Sequence, residues 1–288
     1  VQYKMAIKVS QSASEIYIAG DDDQAIFGWA GADVNKFLNL KGDRIILPQS
    51  FRIPRSVHKL AVEIVQRIKN RYAKQWSPRE EYGTVDYVVN EQEIDFKKKG
   101  TWMLLARSKY LTNRLRQAVR QQGFAYSINS KSSLESDETH AITSWENLRK
   151  GKTISMHDAK NLINFLNLKI KLEPKKVYNI EDLGFPEEVK QYDWMKMLKG
   201  IAPDEREYLR SCLRNGEKFT DKPRINISTI HQSKGGEADN LVLLTDMNSM
   251  SWKNLGNDEE NRVWYVAITR AKENLFVVRP RTLKSFNI

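Results

Sequence analysis

The chain has 288 residues, 40% of them hydrophobic and 29% charged, with a formal net charge of +11. That balance excludes a disordered chain, and no apolar run approaches the roughly 18 residues of a membrane span. A single cysteine, Cys212, excludes an internal disulfide and a cysteine-built metal cluster, and His58, His140, His157 and His231 are scattered. With no signal peptide visible, these features predict a cytoplasmic protein. The charge excess is concentrated: residues 44–125 carry 17 basic and 7 acidic side chains, whereas residues 1–43 carry 4 and 6. Such a surplus fits either a polyanionic partner, nucleic acid or nucleotide phosphate, or a solubilising surface.

Taken along the chain, short apolar runs predict strands at 16–19 (IYIA), 44–47 (RIIL), 85–89 (VDYVV), 102–106 (WMLLA), 225–230 (INISTI), 240–245 (NLVLLT) and 275–278 (LFVV). They are continuous more than alternating, as strands of a parallel sheet covered on both faces must be. Between them, Ile53, Val57, Leu60, Ala61, Ile64, Val65 and Ile68 fall on one helical face, with Pro54 in the first turn. A second helix is expected over 109–122, ending at Gly123, and a third over 258–272, opening on acids that suit its positive end. Strand and helix alternate, so the fold class is α/β. Residues 126–223 break the rhythm with few strand signals and many charges, which predicts a mainly helical insertion. The organisation expected is a terminal piece of one motor domain at 1–43, a second domain at 44–125 and 224–288, and the insertion at 126–223 between its halves.

Four segments carry the chemistry: AGDDDQAIFGWAGAD (19–33), LPQSFRIP (47–54), STIHQSKGGEADNLVLL (228–244) and DEENRVWYVAITRAKENLFVV (258–278). In order, they resemble motifs III, IV, V and VI of the UvrD/Rep family of superfamily 1 DNA helicases. The resemblance implies RecA-like parallel sheets, with ATP bound between two motor domains that walk 3′→5′ along single-stranded DNA and open duplex junctions. It implies γ-phosphate contacts from Gln24, Arg52 and Arg270, the arginines acting as fingers, which suits a reaction governed by positioning and charge stabilisation. Each arginine could instead be a surface ion pair. Phe51 occupies the place of an adenine-stacking tyrosine, with core packing as the alternative, and stacking needs only the ring. Glu237 matches an acid that bonds the ribose.

Phe27 and Trp29 match base-stacking rings, since aromatic faces grip single strands regardless of sequence; the competing reading makes Trp29 a core residue. His231 and Lys234 match DNA-facing or coupling positions, with a satisfied core histidine as the alternative for His231. The acids and Gln24 would then face nucleotide while the rings face DNA. Two departures stand out: Ala30 follows the tryptophan where relatives often have arginine, and Gly235-Gly236 replaces a commoner Gly-Leu.

No P-loop and no magnesium-binding acid pair is present, and GKT at 151–153 lacks the upstream glycine, position 146 being Glu146. No protein metal site is expected; ATP and Mg2+ would be held mainly by a P-loop half. The chain opens on Val1, which suggests a piece of a longer bacterial or phage-encoded protein, inactive as an ATPase alone. A non-catalytic nucleic-acid-binding protein that has kept the fold is the alternative.

Overall fold

A computed structural model describes residues 2–174 and 176–288, leaving Val1 and Lys175 outside. Its strands are β1 (Thr84–Val88), β2 (Trp102–Ala106), β3 (Tyr126–Ile128), β4 (Lys131–Ser132), β5 (Ile154–Ser155), β6 (Val177–Tyr178), β7 (Ile225–Thr229), β8 (Ala238–Leu244) and β9 (Ala271–Val278). Its helices are α1 (Gln2–Ser10), α2 (Val34–Leu38), α3 (Arg55–Val65), α4 (Thr112–Gln121), α5 (Asp137–Arg149), α6 (Met156–Leu166), α7 (Trp194–Met197), α8 (Pro203–Arg214), α9 (Ser249–Lys253) and α10 (Asp258–Ile268). Seven strands form one sheet in the order β1-β9-β8-β2-β7-β3-β4, and every pair is parallel except β3 with β4. Strands β5 and β6 make a small separate antiparallel pair.

The continuous apolar runs are explained by layers on both faces. Along β2, Trp102, Leu104 and Ala106 point into one core, while Met103 and Leu105 point into the other. The first core takes α4, α5, α6 and α8; the second takes α3 and α10. This is a three-layer α/β domain of RecA-like type. Pro54 stands at the N-cap, one residue before the first turn of α3 where it was expected, and Val57, Leu60, Ala61, Ile64 and Val65 are buried along one face.

Several expectations are corrected. Residues 16–19 and 44–47 are not strands: Tyr17, Ile45 and Leu47 are 89%, 89% and 81% exposed, and no described strand lies beside either run. A strand's backbone needs a paired neighbour, and β-branched composition does not supply one. The helix foreseen at 109–122 begins with a 3-10 turn at Lys109–Leu111. The one foreseen at 258–272 stops at Ile268, because Ala271 onward is drawn into the sheet beside β8.

The helical layer also starts later than residue 126, since β3 pairs with β7 inside the main sheet. Its helices do not form a core of their own. Trp145, Leu162, Leu198 and Leu209 join Trp102, Leu104 and Ile227 in a single continuous cluster. Among the described residues no helix is long and apolar enough to cross a membrane. Trp102 anchors that cluster, packed edge-on to Phe96 and stacked on Phe276 with ring centres 5.2 and 5.7 Å away. Trp102→Ala is expected to cost about 3–5 kcal/mol, read as a shifted urea midpoint with an unchanged slope.

Candidate nucleotide and single-strand site

Helix α10 opens on three acids, and each is committed to a distant segment. Asp258 accepts the backbone N–H groups of Lys69 and Asn70 at 2.9 and 2.7 Å. Glu259 accepts the N–H of Gly28 at 3.0 Å. A Cβ on Gly28 would lie 2.8 Å from that carboxylate, so the glycine permits the approach. Buried Glu260 pairs with the Arg107 fork at 2.8 and 2.9 Å and accepts the Trp264 indole N–H at 2.9 Å. One turn on, Arg262 donates to the carbonyl of Asp22 at 2.9 Å and to that of Asn70. The 20–31 segment is thus held by side chains of α10 and by residues 69–74, not by a strand of its own.

The three consecutive acids do not all face a ligand, which corrects the sequence reading. Asp22 and Asp23 are 3% and 0% exposed. Arg71 grips Asp23 bidentately at 2.8 Å for both bonds, and Lys74 touches Asp21 at 3.0 Å, Asp23 at 2.8 Å and Asp22. The acids' oxygens lie within 4.8 Å of one another, and the Lys74 ammonium occupies the place a cation would take. The trio therefore does not fit Mg2+. Asp21, less buried, accepts the N–H of Asp23 through Oδ1 at 3.1 Å and Nε2 of Gln24 through Oδ2 at 2.6 Å.

Gln24 links this cluster to the arginine end. Its Oε1 accepts from Nη2 of Arg270 at 3.2 Å, and its backbone carbonyl accepts from Lys234 at 2.8 Å. Arg270 is 1% exposed and is fixed by the carbonyls of Val266 at 2.9 Å and Gly236 at 3.2 Å. Arg52 sits on a turn organised by the Ser50 hydroxyl, which accepts the N–H groups of Arg52 and Ile53. Its guanidinium makes no hydrogen bond among the described residues, Nε is buried without a partner, and Glu237 stands 3.7 Å away. Burial, then the neighbouring Arg52 charge, pull Arg270 down to about 10. The Arg52 charge is thus felt at Arg270, and an anion between the two would relieve it. Phe51, beside them, is 87% exposed, so the core-packing alternative fails for it.

The aromatic end gathers as well. Phe27 lies 6.2 Å from Trp29 and 6.1 Å from His231 between ring centres, and the Lys234 ammonium sits 5.1 Å from the Phe27 ring. Trp29 is 73% exposed and so is not a core residue. Burial and the Arg107 charge lower the pKa of His231, so at neutral pH it offers an uncharged ring. Lys234 is lowered by burial and by Arg270.

One strap joins the two ends. It leaves the carboxyl end of β7 at His231, crosses the sheet face and enters the amino end of β8 at Glu237. Gly235 has φ +86, a backbone favouring glycine, and a Cβ on Gly236 would meet the Met103 methyl at 2.9 Å. The Gly-Gly departure is therefore matched by Met103 filling the space. Residues 151–153 form an exposed turn between α5 and β5.

All nine expected site residues thus fall in two adjoining groups: Gln24, Phe51, Arg52, Glu237 and Arg270, and Phe27, Trp29, His231 and Lys234. Sequence reasoning missed Arg71, Lys74, Arg262 and Glu259. The available signal was charge complementarity between the run at 21–23 and the basic residues at 71 and 74, but a gap of about fifty positions carries no register.

The acid cluster has a definite pH window. Burial opposes ionisation of Asp22, yet the Lys74 bond and the Tyr72 N–H outweigh it and hold its pKa below 3.8. Burial likewise opposes the Lys74 charge, and its carboxylate bonds hold its pKa above 10.5. The Asp22 contribution is present above pH 3.8 and is lost as pH falls through its folded value; that of Lys74 is present below 10.5 and is lost as pH rises through its folded value. Lys74→Met is expected to cost about 3–5 kcal/mol at pH 7, since it strands buried carboxylates. Urea titrations should find that deficit shrinking as pH falls below 3.8 and the paired Asp22 carboxylate is protonated.

Residues 134–281 match the UvrD-like helicase C-terminal domain, and residues 1–44 match the UvrD/REP helicase N-terminal domain. The chain is 23% identical over 386 residues to the ATP-dependent DNA helicase Rep of Buchnera aphidicola from Acyrthosiphon pisum, covering 96% of this chain and 60% of that protein. It is 23% identical over 396 residues to a probable DNA helicase II homolog of Rickettsia conorii, covering 99% and 60%. A shorter match, 26% over 99 residues, covers 32% of this chain and 13% of the ATP-dependent DNA helicase PcrA of Bacillus subtilis. The chain spans about 60% of the length of the two relatives matched along nearly all of it, and those alignments run far past its own 288 residues, so these relatives carry long stretches that it lacks. With its three-layer sheet and its four motifs gathered at one site, the chain belongs to the UvrD/Rep family of superfamily 1 helicases.

Proposed function

We propose that the chain is the carboxyl-terminal portion of an ATP-dependent DNA helicase that moves 3′→5′ on single-stranded DNA and opens duplex junctions. It would hydrolyse ATP only together with a P-loop domain, which would hold most of the Mg2+, and it would work in a bacterial or phage-infected cytoplasm. The domain limits carried into this reading are 1–43 for the first motor piece, 44–125 and 224–288 for the second motor, and the helical layer between them. The observation that carries the reading is the approach of Glu237 and Arg270, the latter bonded to Gln24, to the Arg52 guanidinium, which makes no hydrogen bond among the described residues, beside an exposed Phe51. A mere nucleic-acid binder has no use for two arginines close enough that the charge of one opposes that of the other. In this reading Arg52 and Arg270 stabilise charge on the transferred phosphoryl group, Phe51 stacks on adenine and Glu237 bonds the ribose. Phe27, Trp29, His231 and Lys234 form the track, with rings stacking on bases and Lys234 meeting backbone phosphate.

Arg52 is the cleaner finger to test, because Arg270 also braces the end of α10 through backbone carbonyls. In the enzyme joined to its P-loop domain, Arg52→Ala should lower DNA-stimulated kcat by about 100-fold or more, with nucleotide affinity and Tm little changed. Turnover near the unsubstituted rate would end the finger assignment. Trp29→Ala should weaken single-strand binding by about 1–3 kcal/mol while the melting curve stays put, since an exposed ring leaves no cavity. Fluorescence titration beside a thermal melt checks both halves of that expectation.

A further inference from the structure

The polar chain from Lys74 to Arg270 has a direction. The Lys74 ammonium lies 3.0 Å from Oδ1 of Asp21; Oδ2 of Asp21 accepts from Nε2 of Gln24 at 2.6 Å; Oε1 of Gln24 accepts from Nη2 of Arg270 at 3.2 Å. A primary amide is ambiguous by shape, with its oxygen and nitrogen nearly isosteric, so its partners must decide which end points where. A carboxylate only accepts and a guanidinium only donates. Asp21 at one end and Arg270 at the other therefore admit a single orientation of the Gln24 amide. Nitrogen faces Asp21 and oxygen faces Arg270.

We propose that Asp21 is a positioning residue that sets the polarity of Gln24, with Lys74 anchoring Asp21 in turn. This rests on the reading of Gln24, Arg52 and Arg270 as the phosphate end of an ATP site. In hydrolysis there, the water oxygen bonds to the γ-phosphorus as the bond to the bridging oxygen breaks. The electron pair leaves with ADP, and the water proton passes to the released phosphate. The amide oxygen, held toward Arg270, is the part of Gln24 that can accept a hydrogen from that water. The second N–H of Nε2 is the part that can donate to a phosphate oxygen. Reversing the amide exchanges the two and sets its N–H groups against the Arg270 donors.

Asp21→Asn reverses one atom. The Asp23 N–H and the Lys74 ammonium both lie on Oδ1, which asparagine keeps; its nitrogen then replaces Oδ2 and meets Nε2 of Gln24, donor against donor. Neither orientation of the amide then satisfies both ends: unturned, Nε2 meets the asparagine nitrogen, and turned, it meets the Arg270 donors, so the single polarity is lost. Asp21 is about one-third exposed at its side chain, so the exchange strands no buried charge there. In the P-loop-containing enzyme, Asp21→Asn should lower DNA-stimulated kcat roughly 10- to 100-fold, as misdirection at a reacting centre does. KM for ATP, single-strand affinity and Tm should hold. The decisive comparison is made in a Gln24→Ala background, where the same Asp21→Asn exchange should lower kcat no further. A normal kcat for Asp21→Asn, a loss that multiplies with that of Gln24→Ala, or a loss that tracks a fallen Tm would each overturn the positioning role. Normal turnover by Gln24→Ala alone would instead remove the underlying reading of the phosphate end, and the positioning role with it.

Discussion

Three carboxylates in succession repel one another, and two of them are buried. The candidate site exists because Lys74 and Arg71 place two cations among them. In a low-dielectric setting that neutralisation is obligatory: charges left unpaired cost several kcal/mol each. The same pairing ties the 20–31 segment to the residues following α3, and Arg262 and Asp258 fasten both to α10. Gln24, Phe27 and Trp29 all ride on the segment so secured. Their relation to Arg270 and His231 is set by the ionic cluster and not by any strand.

The second organising feature is the strap between β7 and β8. Strands β7 and β8 run parallel on either side of β2, so the chain must pass from one end of the sheet to the other between them, and here it does so without a regular α-helix. Because it starts at one end of the sheet and finishes at the other, His231 and Glu237 belong to opposite ends of a single short segment. Lys234, midway, touches the Gln24 carbonyl and lies over the Phe27 ring. The arginine end and the aromatic end are therefore joined twice, once through 24–29 and once through 231–237. A displacement at one end has little slack in which to be lost.

Much of this was legible in the residues. The runs at 102–106 and 240–245 read correctly as doubly covered strands, and the face from Val57 to Val65 read correctly as a packed helix, because periodicity reports burial directly. The grouping of Arg52, Glu237 and Arg270 with Gln24 was legible only through resemblance, since these residues are far apart in the chain. The runs at 16–19 and 44–47 misled, because apolar β-branched composition states a preference that only a neighbouring strand can satisfy. The acids at 21–23 misled for a related reason. A carboxylate in the sequence offers a charge without saying whether a ligand or a lysine about fifty positions away will answer it.

By itself the sequence determined the α/β class, the two covered faces of the sheet and the arginine, amide and aromatic residue types that the candidate site gathers. Those properties are local: they follow from side-chain chemistry and from repeats of two and 3.6 residues. Only the tertiary structure decided that Lys74 fills the acid cluster, that Glu259 meets Gly28, that Phe51 and Trp29 stand free, and that Asp21 and Arg270 leave Gln24 one orientation. Each of these is a contact between segments with no fixed spacing, and hydrogen-bond polarity, unlike periodicity, has no meaning until donor and acceptor have been brought face to face.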